Sequence, residues 1–257
     1  MELTLTEYSN IIYVGDLHGE FNEFVQSTKD CTNSLYILTG DLELGRKKRE
    51  TEIDDFSKAE YILASNNNYV IIIRGNNDNP AYFKKKSGYR NDVLYDSPHI
   101  ILVPDYSIIY TKNHTILCIG GAYSINRWNK NNWYKNEQVT KPIASFYENI
   151  EKNNIHIDIV VSHTAPLFCP PIEFSTKPKK QASISLLNSM SIFDKNIKND
   201  IYKERLLLKG IYEKLNNKYK IQKWVYGHFH ASNAIQYNKT KFISLNLREQ
   251  YKNENEN

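Results

Sequence analysis

The chain has 257 residues, enough for one large α/β domain or two small ones. Hydrophobic residues at 40% and charged residues at 24% are ordinary for a soluble globular protein, and no apolar run approaches the ~20 residues of a membrane span. A net charge of +4 is too weakly basic to argue for nucleic-acid binding by itself.

The opening MELTLTEYSN lacks a positive region followed by an apolar run, so no secretory signal is read there. Cys31, Cys118 and Cys169 are odd in number and widely spaced, which argues against a disulfide framework. The apolar stretches near Cys31 and Cys118 predict buried thiols. The expected location is a reducing cytoplasm.

Apolar, β-branched runs predict strands at 10–14 (NIIYV), 34–39 (SLYILT) and 69–74 (YVIIIR). Residues 20–29 and 53–66 between them read as helices, and this alternation predicts parallel βαβ units. The runs 99–104, 106–111 and 115–120 follow closely and read as an antiparallel meander or a second sheet. A helix near 136–153 and a strand at 157–163 come next, then a Pro-, Lys- and Ser-rich loop over 164–181. Helical patterns at 182–196 and 201–217 precede a hairpin-like ending of KWVYGH, NAIQYN and KFISLNL. One domain over 1–247 with a polar, frayed tail over 248–257 is the expected organisation.

The strand-like runs of the α/β part lead into residues able to bind metal. NIIYV runs into GDLHG (Asp16, His18), SLYILT into GDLELG (Asp41) and YVIIIR into GNND (Asn76). IDIVV runs into SHTAP (His163), and KWVY into GHFH (His228, His230). Ligands of open α/β sheets bind beyond the carboxyl ends of the strands, so these residues converge on one rim. Imidazole and carboxylate groups together suit divalent ions such as Mn, Fe or Zn.

The order GDLHG, GDLE, GNND, SHTAP, GHFH resembles the calcineurin-like metallophosphoesterases from residue 11 to about 246. GGAYSINR (120–127) with the later NNWYKNE resembles a bacterial and phage branch of that family. The resemblance implies a two-sheet β-sandwich flanked by helices, the four-layer αββα fold. It implies two divalent metal ions, Mn²⁺ first with Fe, Zn or Ni as alternatives. Asp16, His18 and His230 would hold one ion, Asn76, His163 and His228 the other, and Asp41 would bridge them. The implied reaction is in-line attack of a metal-bridging hydroxide on a phosphodiester or nucleotide-like phosphomonoester.

Where the family motif reads GNH followed by an acid, this chain has Asn77 and Asp78. An amide donates a hydrogen bond but gives up no proton at neutral pH, and general acid catalysis is typically worth ~10²–10⁴ in rate. Asn77 is therefore read as modifying rate and specificity, with Asp78 steadying it. Tyr123 and Arg127 are candidates for contacting substrate, Arg127 by binding phosphate; an ordinary surface loop arginine is the alternative. His99, His114 and His156 are read as structural. The basic runs RKKR (46–49), KKK (84–86) and KPKK (177–180) could attract phosphorylated substrates or form a solvated surface. Trp128, Trp133 and Tyr134 could stack on a base or pack a loop. A protein phosphatase is disfavoured because the segment after Asp41 lacks the V-D-R-G pattern. A repair-type nuclease would need a capping domain, and a metal-bound scaffold without activity is the remaining alternative.

Overall fold

The computed structural model describes residues 1–83, 97–129, 133–171 and 181–253, with the side chains of 181–185 excepted. KKK at 84–86 and KPKK at 177–180 lie outside the described residues. The chain runs β1 (Glu2–Thr4), β2 (Asn10–Val14), α1 (Phe21–Ser27), β3 (Ser34–Leu38), α2 (Arg49–Ser65) and β4 (Tyr69–Ile72), then a 3-10 turn at Pro80–Phe83. It continues through β5 (Ile100–Leu102), β6 (Ser107–Tyr110), β7 (Thr115–Ile119), α3 (Ala144–Lys152), β8 (Ile159–Ser162), α4 (Gln181–Phe193) and α5 (Ile197–Tyr219). It ends with β9 (Lys223–Tyr226), β10 (Asn233–Tyr237), β11 (Thr240–Ser244) and β12 (Gln250–Lys252).

Two sheets form, in the orders β1-β6-β7-β8-β9-β11-β10 and β12-β2-β3-β4-β5. Successive side chains of a strand point to opposite faces, so each strand feeds two cores. Leu35, Ile37 and Ile71 of one sheet meet Cys118, Val161 and Val225 of the other in the layer between them. Tyr36, Leu38 and Ile72 face outward onto Phe24 of α1 and Phe56 and Leu63 of α2. Leu117, Val160 and Trp224 face Ile150 of α3 and Leu208, Ile211 and Leu215 of α5. This is a mixed α/β architecture of two sheets flanked by helices, as expected.

Four local expectations change. The run at 99–104 joins no meander: β5 pairs in parallel with β4, and only β6 and β7 form the antiparallel pair. The helix expected from 136 begins at Ala144, after Pro142, because the carbonyls of 136–138 are taken by the buried Arg74. Residues 250–252 are no frayed tail but a strand antiparallel to β2, with Tyr251 stacked beside Tyr13. Cys31 is exposed, whereas Cys118 and Cys169 are buried.

Helix α5 carries a fully buried arginine, Arg205, whose guanidinium donates to the carbonyls of Ala165, Pro166, Cys169 and Pro171. It clasps the loop that leaves β8 just after His163. Removing these donors strands several carbonyls at once, each worth roughly 1–3 kcal/mol when buried. Arg205→Leu is expected to lower stability by about 3 kcal/mol or more in urea titrations. A loss near zero would mean that the loop is held by other contacts.

Candidate metal centre

Five strands, β2, β3, β4, β8 and β9, deliver their following loops to one rim. The loops approach so closely that side chains are excluded at key points. A Cβ at Gly75 would lie 2.1 Å from Asp41 Oδ1, and one at Gly227 the same distance from Asp16 Oδ1. The turns are tight enough to put non-glycine residues in the left-handed region: His18 (φ 44°), Asp41 (54°), His228 (67°) and His230 (48°). Such conformations cost of order 1–3 kcal/mol each and cluster at functional sites.

Two groups of ligating atoms result, one from Asp16, His18, Asp41 and His230, the other from Asp41, His163 and His228, with the atoms of each within 4.8 Å of one another. Asp41 belongs to both. In the first group, the Nε2 atoms of His18 and His230 lie 2.9 Å apart, and His230 Nε2 is 3.3 Å from Asp16 Oδ2. Glu43 Oε1 sits 3.2 Å from His18 Nδ1, which directs Nε2 inward. In the second group, His163 Nδ1 is 2.7 Å from the Thr39 carbonyl, leaving Nε2 3.4 Å from Asp41 Oδ1 and 3.0 Å from Asn76 Oδ1. An imidazole tied by one nitrogen while the other faces carboxylates is the usual arrangement of a metal-ligating histidine. The residues present therefore fit divalent cations.

Asn76 is oriented by a chain of hydrogen bonds. Its Nδ2 donates to Ser124 Oγ (3.0 Å), and Ser124 Oγ donates to Glu137 Oε2 (2.6 Å). The Ser124 backbone N–H donates to Glu137 Oε1 (2.7 Å). Burial pushes the Glu137 pKa up to about 7; once ionised its carboxylate can only accept, and this polarity then turns the Asn76 oxygen toward the site. Arg74 holds the carbonyls of Asn136, Glu137 and Gln138 and pairs with Asp105 (2.8 Å), which fixes the segment bearing Glu137.

The family model for calcineurin-like phosphoesterases matches residues 9–232. The chain belongs to that family. No curated protein matches. One solved structure is similar with a TM-score of 0.52 at 10% identity over 95% of this chain and 98% of its own, a likeness of fold alone. The phosphopantetheinyl hydrolase PptH from Mycobacterium tuberculosis is similar with a TM-score of 0.48 at 14% identity over 93% of this chain and 89% of its own.

Within this metallophosphoesterase, the remaining expected residues are placed as follows. Asn77 donates from its backbone to Asp41 Oδ1 (2.8 Å) and from Nδ2 to Asp41 Oδ2 (2.7 Å), while its Oδ1 accepts from Arg46 Nη2 (2.9 Å). Arg46, the first residue of RKKR, thus reaches the centre, a contact that composition could not assign. Asp78 is buried. It accepts from the backbone N–H groups of Asp41, Leu44 and Gly75, stitching two ligand loops together. Its part is positioning, not the steadying of Asn77 that the sequence suggested. Burial and the charge on Asp41 push its pKa up to about 6. Arg127 corrects the expectation of a phosphate contact. Its Nε and Nη2 are committed to Asp194 (2.6 Å) and Asp200 (2.5 Å), and it lies over the Tyr123 ring. His99 pairs with Glu60 and His156 with Asp158, away from the centre. Trp128 stacks on Phe193, and Tyr134 lies under Arg46.

Ser124, Glu137, Thr39, Glu43 and Arg46 were missed as site residues in the sequence. The signal for two of them was present, since Ser124 falls in GGAYSINR and Glu137 ends NNWYKNE.

Burial disfavours charge on both Asp41 and His163, yet each stabilises the charge of the other. Asp41 is held below the usual carboxylate range by His163 and the Asn77 bonds. His163 is held above the usual imidazole value by Asp41 and Asp16. The Asp16 hydrogen bond raises His230 against its partial burial. His228 is pushed down to about 3 by burial and by His163, so its lone pair is free for a cation. Ligation requires neutral imidazoles, and the raised pKa values of His163 and His230 make proton release part of metal binding wherever these rings are charged. Metal affinity is therefore expected to rise with pH through the ordinary imidazole value and to level off only above the raised pKa values of these two rings. Calorimetric metal titrations at pH 7 in buffers of different ionisation enthalpy should show proton release. Buffer-independent heats would contradict the charge state assigned to these rings.

Among the described residues, no helix is long and apolar enough to cross a membrane.

Proposed function

We propose that the protein is a binuclear metal-dependent hydrolase of phosphoesters, with phosphodiesters or nucleotide-like phosphomonoesters as small-molecule substrates. The observation that carries this reading is Asp41, whose carboxylate is shared by both ligand groups. When bound, two divalent cations, Mn²⁺ first, supply Lewis-acid charge and an acidified water for in-line displacement. Asp16, His18 and His230 would hold one cation, and Asn76, His163 and His228 the other. Asn77 presents its amide N–H to the space beside Asp41, and Arg46 fixes that amide by its oxygen. Neither group gives up a proton at neutral pH, so esters with acidic leaving groups are the favoured substrates.

The protein is stripped of metal, restored with Mn²⁺ and assayed with bis(p-nitrophenyl) phosphate and p-nitrophenyl phosphate. Metal-dependent diesterase activity is expected. Metal binding with no hydrolysis of either ester would point to a non-catalytic scaffold, and no metal binding would end the reading. Asn77→His alone is expected to gain little on esters of weakly acidic alcohols, because the Arg46 guanidinium disfavours an imidazolium beside it. Asn77→His with Arg46→Gln is expected to gain more, up to the ~10²–10⁴ typical of general acid catalysis. Equal rates for the single and double variants would remove Arg46 from the account.

A further inference from the structure

We infer that the ester group accepted beside the metal centre is apolar and uncharged, seated on a wall built by the 123–125 segment, α4 and α5; this rests on the phosphoesterase reading. The centre opens into a cavity of about 390 Å³, at the lower end of the ~300–1,000 Å³ usual for small-molecule sites. Asp41, Asn77, His228 and His230 line one part of it. Much of the remainder is Tyr123, Ile125, Leu186, Leu187, Ile201 and Phe229. Leu187 and Ile201 are buried and pack with Tyr123 and Ile125 as one cluster, so this wall is built.

Charge is withheld from the same wall. Among the described residues lining the cavity none is lysine or arginine. Arg127, on the neighbouring loop, is committed to Asp194 and Asp200. Glu204 does line the cavity, but its carboxylate accepts from the backbone N–H groups of Tyr123 and Val139. Among the described residues, a second phosphate or a carboxylate on the substrate would meet no lining cation and one acidic neighbour. Helix α4, QASISLLNSMSIF, contains no charged residue, and its Leu186 remains 48% exposed while lining the cavity. A half-exposed leucine at the mouth of a polar centre gains by being covered by an apolar group.

The test uses Mn²⁺-loaded protein and linear alkylphosphonates from methyl to hexyl, titrated calorimetrically. The matching p-nitrophenyl alkyl phosphodiesters are assayed alongside. Affinity is expected to rise about two- to fourfold per methylene until the wall is covered. In Leu186→Asn combined with Ile125→Asn this dependence on chain length should collapse. A flat series with the methyl ester still hydrolysed overturns the inference and leaves the hydrolase reading standing. A rising series with no ester hydrolysed supports the wall and removes the hydrolase reading. Binding of no phosphonate overturns both. Tighter binding of an ω-carboxyalkyl phosphonate than of its alkyl counterpart also overturns the inference. Sedimentation with phosphatidic acid vesicles together with a flat soluble series overturns it in favour of a bilayer source.

Discussion

Asp41→Asn is expected to lower metal-dependent hydrolysis by ~10³-fold or more and to reduce bound metal below two ions per chain. The carboxylate belongs to both ligand groups, and both its oxygens already accept hydrogen bonds from Asn77. An amide keeps one acceptor oxygen and puts an NH₂ where the second must be, close to His18 or His163. One negative charge is also lost from a site where, against burial, this group does most to raise the His163 pKa. Metal content by elemental analysis checks the claim independently of turnover. Two ions retained in Asp41→Asn would mean that the groups are separate sites and that the shared carboxylate is incidental.

Ser124→Ala should weaken one metal ion and spare the other. The hydroxyl is the link through which Glu137 orients Asn76, and without it the Asn76 amide is free to turn its NH₂ toward the cation. Loss of a residue that orients a ligand typically costs 10–100-fold in metal affinity. The expected result is a two-step calorimetric titration in which one step moves by that factor and the other stays in place. Ser124→Thr keeps a hydroxyl and should recover most of the loss. Glu137→Gln should resemble Ser124→Ala, since the carboxylate accepts from both the N–H and the hydroxyl of Ser124 and an amide has only one acceptor. If both steps shift equally in Ser124→Ala, the relay is a packing feature of the whole site.

The candidate metal ligands were legible because each follows a strand-like run by two to four residues, and local sequence fixes both the strand and the loop that leaves it. The alternation of runs and helical segments likewise marked the parallel units around β2, β3 and β4. What escaped depends on contacts between distant residues. Asn76 meets Ser124 across 48 positions, and Arg46 meets Asn77 across 31. Nothing in the local pattern of 99–104 distinguishes a strand added to β4 from one leading a meander. Polar REQYKNENEN reads as solvent-loving, yet the Gln250–Lys252 backbone finds its partner in β2. Arg127 looked available because its carboxylate partners lie 67 and 73 residues further on.

The outermost strands of the two sheets bear on how the chain survives its own folding. The central strands SLYIL, YVII, IVVS and KWVY are wholly buried, and several are the apolar, β-branched kind of segment that stacks into fibrils when exposed. Three of the four outermost strands, β1, β5 and β12, have only three residues each. Strands so short offer an incoming chain few backbone groups to copy. Truncation after residue 247 would remove β12 and uncover Ile12, Tyr13 and Val14 of β2, whose NIIYV is a far better template for intermolecular pairing. The polar C-terminal strand thus serves as a guard against aggregation, and tags or fusions are better placed beyond it than in its stead.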